Sequence, residues 1–157
     1  MTRFPSFLRL ATALLLAAAF LPLVGCASST GGLSGDPSEY GAPSGEVTVT
    51  RFLEAAGAED YQAMSRQFGT RQGPAEERLG VTEVEQRMMV LAGLLGHDSF
   101  EVRRQELART GPNRVRYVAT MRGTRNGTVE LPVIAVETVE GRWFVERLVM
   151  DPLTREN

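Results

Sequence analysis

At Ser99 the spacing of apolar residues changes from about 3.6 to 2, and no other feature constrains the fold of this chain as strongly. Before that point, Val49, Phe52, Leu53 and Ala56 recur at i, i+3, i+4 and i+7, so they share one helical face. Gly57 interrupts the pattern, Asp60 is placed to cap a second helix, and Tyr61, Met64, Ser65 and Phe68 share a second face. The reading is two short helices, or one bent helix, over residues 44–68. Residues 69–80 form an irregular joint with Gly73-Pro74 as a breaker and one turn after the proline. Thr82 and Glu85 have capping-box spacing, which predicts a helix over Glu83–Leu95. Its inward stripe is Val84, Met88, Leu91 and Leu95, widened by Met89 and Ala92, and Gly96 is placed as a left-handed stop.

After Ser99 the pattern is that of strands. Phe100, Val102 and Leu107 belong to a first one. Val115, Tyr117, Ala119 and Met121 alternate with Arg114, Arg116, Val118 and Thr120 in a second. Asn126-Gly127 is a strong hairpin signal, since both residues tolerate positive φ. A third strand runs over residues 128–138, where Pro132 suggests a sheet edge or a bulge. Glu140-Gly141 turns the chain into a fourth over 142–150, with Trp143, Val145 and Val149 on one face. Helices first and an antiparallel meander afterwards predict an α+β domain over residues 46–157, the size of one ordinary domain.

The chain ahead of this domain has a different character. Arg3 and Arg9 precede an apolar run from Leu10 to Val24, about fifteen residues long against the ~20 that span a bilayer. Pro22 breaks the run near its end. A basic start, a short apolar middle and a small residue before a cut describe a secretory signal over residues 1–25. Leu23-Val24-Gly25-Cys26 resembles the lipobox of bacterial lipoproteins, with the cut between Gly25 and Cys26. That resemblance implies that Cys26 becomes the lipidated first residue, held on a membrane by its acyl chains. Cys26 is the only cysteine, so lipidation leaves no thiol for a disulfide. Ala27 comes next, where an aspartate would imply inner-membrane retention. The implied address is the bacterial cell envelope, at the outer membrane facing the periplasm.

Residues 27–45 are rich in Gly, Ser and Pro, with Leu33 and Tyr40 as the only large apolar side chains. Such a segment buries too little surface to offset its ordering entropy, so the lipidated cysteine and a flexible tether are expected over 26–45. Its reach is about 24 Å. Without the leader the chain carries 15 arginines against 19 acidic residues, with no lysine and no block of one sign. Such a pattern implies neither a polybasic membrane patch nor a nucleic-acid surface.

The order of elements resembles the cone-shaped nuclear-transport-factor-two-like superfamily. Phe52-Leu53-Glu54-Ala55 in the first helix, Asp60-Tyr61 at the start of the next and Gly141-Arg142-Trp143-Phe144-Val145 in the last strand carry the resemblance. It implies N-terminal helices packed on a curved, cone-like antiparallel sheet of at least four strands. Residues 69–80 depart from it, because the family places a short strand between its helices and none is evident there. A layered α/β sandwich is the competing architecture.

The superfamily's cone can hold small molecules, and Tyr61, Met88, Leu91, Tyr117 and Trp143 are the candidate lining, or else simply core. No catalytic residue stands out. His97, the only histidine, comes directly after a helix end and fits a surface loop better than an acid–base role. No second His or Cys completes a metal site, and no phosphate-loop spacing occurs, so no cofactor is expected. Glu130 and Glu137 have opposite parity in one strand. Arg103-Arg104 and Arg114/Arg116 fit a solvated sheet face better than an anion site. The expected function is a lipid-anchored binding or interaction module for an envelope protein or a small apolar ligand. The alternative is an isomerase or dehydratase of the same superfamily acting on a small apolar substrate.

Overall fold

Two separate helices form where the first two apolar stripes predict them. The computed structural model describes residues 39–105 and 111–154. Residues 1–38, which hold the expected leader, Gly25, Cys26 and most of the expected tether, lie outside the described residues, as does Leu107. Helix α1 (Gly45–Gly57) starts at Ser44, whose hydroxyl accepts the Val47 N–H at 3.3 Å. Helix α2 (Tyr61–Gln67) starts at Asp60, whose Oδ1 accepts the Ala63 N–H at 2.9 Å, as predicted. Between them Glu59 takes a left-handed φ of 54°, which turns the chain back.

The joint over 69–80 contains a strand pair that is not evident in the sequence. Strands β1 (Gly69–Thr70) and β2 (Gly73–Pro74) pair antiparallel, and α3 (Glu76–Leu79) is the expected turn after the proline. Two-residue strands are too short to display a period, which is why they escape a reading by pattern. Gly69 permits a close crossing here. A Cβ on it would lie 2.6 Å from the Gly73 carbonyl oxygen and 2.8 Å from the Phe144 ring.

Helix α4 (Val81–Leu95) begins two residues earlier than predicted, and the capping box is not used. Gly80, at φ 82°, turns the chain out of α3 without any side-chain cap, so Thr82 and Glu85 fall inside the helix. Gly96 is also corrected: at φ −51° and ψ 126° it is extended, not left-handed, and leads directly toward the sheet. Val84, Met88, Ala92 and Leu95 are buried and Leu91 is half-buried. Met89 is 56 % exposed, because it lies about 100° around the helix from Met88.

Strands β3 (Ser99–Gln105), β4 (Arg114–Thr124), β5 (Gly127–Glu137) and β6 (Trp143–Leu148) form an antiparallel sheet in that order. Tyr117, Ala119, Met121, Leu131, Val133, Ala135 and Val145 face the helices and join Val49, Phe52, Leu53, Met64, Val84 and Met88 in one core. Helix α1 packs on α2, on α4 and on all four strands of this sheet. The domain is α+β, as the change of period requires. A short helix α5 (Asp151–Thr154), unforeseen in the sequence, comes after β6.

Two local expectations are revised. In the β4–β5 hairpin the turn residues are Arg125 and Asn126, flanked by paired Thr124 and Gly127. Gly127 has positive φ but Asn126 does not, and a bulge containing Gly123 (φ 75°) precedes the turn. Pro132 sits in the interior strand β5, opposite Val118, not at an edge. Its carbonyl accepts the Val149 N–H at 2.9 Å, but it has no N–H to return, and strand β6 ends at Leu148. A bulge does occur close by, with Glu146 as the extra residue between the pairs Ile134–Arg147 and Ala135–Val145.

The last residues assigned by composition to the tether are built into the domain. Ala42 and Trp143 exchange two backbone hydrogen bonds of 2.9 Å, and Ala42 is fully buried. The Gly41 N–H donates to the Arg66 carbonyl at 2.8 Å. The Arg142 guanidinium donates to the Tyr40 and Gly41 carbonyls. Among the described residues no helix is long and apolar enough to cross a membrane.

Candidate functional site

The five candidate pocket residues all meet one hydrophobic cluster. Met88 (α4) and Tyr117 (β4) are inside it, while Tyr61 (α2), Leu91 (α4) and Trp143 (β6) are partly buried against it. Gly45 explains how α1 comes so close to the aromatic pair. A Cβ there would lie 2.7 Å from the Tyr117 hydroxyl oxygen and 3.0 Å from the Trp143 ring. The Tyr117 hydroxyl in turn meets the Glu46 backbone at the start of α1. Burial raises the Tyr117 pKa above the ordinary tyrosine value, against the opposing pull of Arg104. The phenol is thus a neutral group at the point where helix and sheet meet. An open depression of about 510 Å3 lies elsewhere, over Ser44, Glu46, Val47, Thr50, Arg51 and Glu54 of the first helix and its cap.

A second, polar group is not legible in the sequence. Glu76 of α3 is 9 % exposed. Its Oε1 accepts the Ser65 hydroxyl at 2.7 Å and its Oε2 accepts the Tyr40 hydroxyl at 2.9 Å. Beside Ser65 on α2, Gln67 accepts at Oε1 the hydroxyl of the buried Thr48 at 3.2 Å. The Tyr40 pKa is raised, first by burial and then by its bond to Glu76. Both Glu76 oxygens are occupied by the chain's own hydroxyls, so this group binds the segment ahead of α1 to the α2–α3 region. Tyr40 sits in a Gly/Ser/Pro-rich stretch and Glu76 in an irregular joint, and neither position has a period that marks it as buried.

Most charged groups on the far face of the sheet are paired or solvated, and Arg116 is the exception. Arg114 and Glu146 form a two-pronged pair at 2.6 and 2.8 Å across β5. The hydrogen bond from Arg114 holds the Glu146 carboxyl below its usual pKa. A depressed carboxylate stabilises the fold above its unfolded pKa, and that contribution disappears as pH falls from ~4.3 through the lower folded value. Acid unfolding of Glu146→Gln should therefore show a shallower pH dependence below about pH 4.5 than the parent, measured by urea midpoints at successive pH. Arg103 meets Glu130 at 3.2 Å on the exposed surface. Arg116 Nε is buried with no hydrogen-bond partner, and nothing in the structure accounts for it.

His97 lies after α4, half-buried, with Nδ1 2.7 Å from the Leu95 carbonyl oxygen. Its ring stands edge-on to Phe100 at 5.2 Å and packs near Gly57. Among the described residues no group of three or more His, Cys, Asp or Glu is placed to hold a metal ion. No protein-family model matches the chain, and no curated protein matches it.

Proposed function

We propose that this protein is a lipid-anchored component of a bacterial envelope, whose α+β domain is a binding or interaction module held near an outer membrane by Cys26. The tetrapeptide Leu23-Val24-Gly25-Cys26 behind a short apolar run with basic residues ahead of it carries this reading. Two or three acyl chains at ~0.8 kcal/mol per buried methylene hold such a domain on a membrane without a spanning helix. The chain between Cys26 and the first described residue, Glu39, supplies the leash. The binding reading, with an envelope protein or a small apolar ligand as partner, takes the buried polar groups as structural ones rather than free acids or bases. Tyr117 and Glu76 are both engaged by neighbours within the domain.

Metabolic labelling with a radiolabelled or clickable fatty acid tests the anchor. The parent is expected to take up label and sediment with membranes, whereas Cys26→Ser takes up none and moves to the soluble fraction or stays as unprocessed precursor. Equal labelling and unchanged fractionation of the two proteins would refute the proposal.

A further inference from the structure

The four-stranded sheet has two edges, and the described residues bridge one of them. Along β6, Ala42 bridges Trp143 and Phe68 bridges Val145. Along β3 no such bridge exists among the described residues. The Asp98 N–H donates to the Arg122 carbonyl at 2.8 Å, so the Arg122 backbone faces β3. Alternation along β4 turns Thr120, Val118 and Arg116 the same way, toward their partners Glu101, Arg103 and Gln105. The N–H and C=O groups of Phe100, Val102 and Arg104 therefore point away from the sheet. They find no partner among the described residues.

The geometry points to a second copy of this chain as the occupant of that edge. Strand β3 pairs antiparallel with β3 of another protomer about a two-fold axis at Val102, which joins two four-stranded sheets into one of eight. In this register Val102 faces its own copy, and Phe100 faces Arg104 of the other chain, both as hydrogen-bonded pairs. Glu101 then stands directly opposite Arg103 of the other chain, twice by symmetry. These are non-hydrogen-bonded pairs, the kind whose side chains approach most closely.

The neighbouring registers are disfavoured by the same sequence. A shift by one residue in the pairing sum sets an outward-facing backbone against an inward-facing one and makes no ladder. The next allowed registers set Glu101 against Glu101, or Arg103 against Arg103. Edges guarded against association carry charges that repel their own copy in the register the backbone favours. Here the alternating signs attract in one register and repel in the two beside it. Glu101 has no ion pair among the described residues. The Arg103–Glu130 pair is well exposed, at 60 % and 64 %, so little holds Arg103 in place. The inference rests on the sheet edge alone and does not depend on the lipid anchor.

Sedimentation of the full chain in mild detergent, over a dilution series, tests it. The parent is expected to dimerise. Glu101→Arg alone and Arg103→Glu alone should each weaken the dimer about tenfold or more, because two attractive cross-strand pairs become two repulsive ones. Mixing these two variants in equal amounts should restore dimers, since each supplies the charges that the other lacks, and the double exchange should restore them in one chain. Glu130→Gln, which removes only the intrachain partner of Arg103, should leave the dimer intact. A parent that stays monomeric throughout, or a dimer indifferent to both single reversals, overturns the inference.

Discussion

Replacing Phe52 by alanine is expected to cost about 3–5 kcal/mol of folding stability, the range for removing a fully buried aromatic ring. Phe52 is completely buried on α1, the helix that touches α2, α4 and every strand of the main sheet. Its ring centroid lies 6.4 Å from that of Phe68, which leads into β1. The void left by the ring would border elements anchored independently by their own hydrogen bonds, so collapse to fill it is restricted. A domain of this size has only about 5–15 kcal/mol of stability in total, and the variant should lose a large share. Urea unfolding followed through Trp143, the single tryptophan, would read the loss as a lower midpoint. Val139→Ala is the internal control. Val139 is 87 % exposed, and its truncation should change stability by less than about 0.5 kcal/mol. Equal midpoints for Phe52→Ala and Val139→Ala would show that α1 is not the centre of the core.

The second large effect is expected at Glu76. Glu76→Ala removes the acceptor of both the Ser65 and the Tyr40 hydroxyls. The cost should be about 2–3 kcal/mol, from two broken bonds of which one leaves a buried donor. Part is recovered, because Ser65 also lies 3.0 Å from the Gln62 carbonyl and Tyr40 is only half-buried. Glu76→Gln keeps one acceptor oxygen and should lose about half as much. The local signature separates this from general destabilisation. With Tyr40 released, the Ala42–Trp143 bridge is held by Arg142, by backbone bonds and by the Glu39–Arg66 ion pair at 3.5 Å. Hydrogen exchange at the Ala42 and Trp143 amides should then accelerate at least about tenfold more than at the amides of β4. Uniform acceleration across the sheet would mean that Glu76 supports the whole core and not this segment.

The residues that escape a reading of the sequence share a physical cause. Periodicity reports burial only where a segment is long enough to complete a period. The stripes of α1 and α4 and the alternation in β4 are therefore visible, whereas the two-residue strands β1 and β2 and the Glu76 group are not. Pro132 suggests an edge or a bulge because proline lacks a donor. Its position opposite Val118 shows that the interior strand accepts it where the β5–β6 ladder is already ending. Tyr40 and Ala42 fall with the tether by composition, which cannot see a bridge to a strand a hundred residues away. The candidate pocket residues stand out for their size, and Tyr61, Tyr117 and Trp143 also for their polar tips. Their convergence on one cluster depends on Gly45, whose missing Cβ lets α1 approach Tyr117 and Trp143.

Local chemistry written in consecutive residues determined the order of the longer helices and strands, the Asp60 cap and the inward faces, because each depends on neighbours within a few positions. Tertiary contact alone decided which sheet edge is bridged and which carboxyl is buried. Those outcomes depend on groups brought together from distant parts of the chain, and their energies exist only once the layers have met.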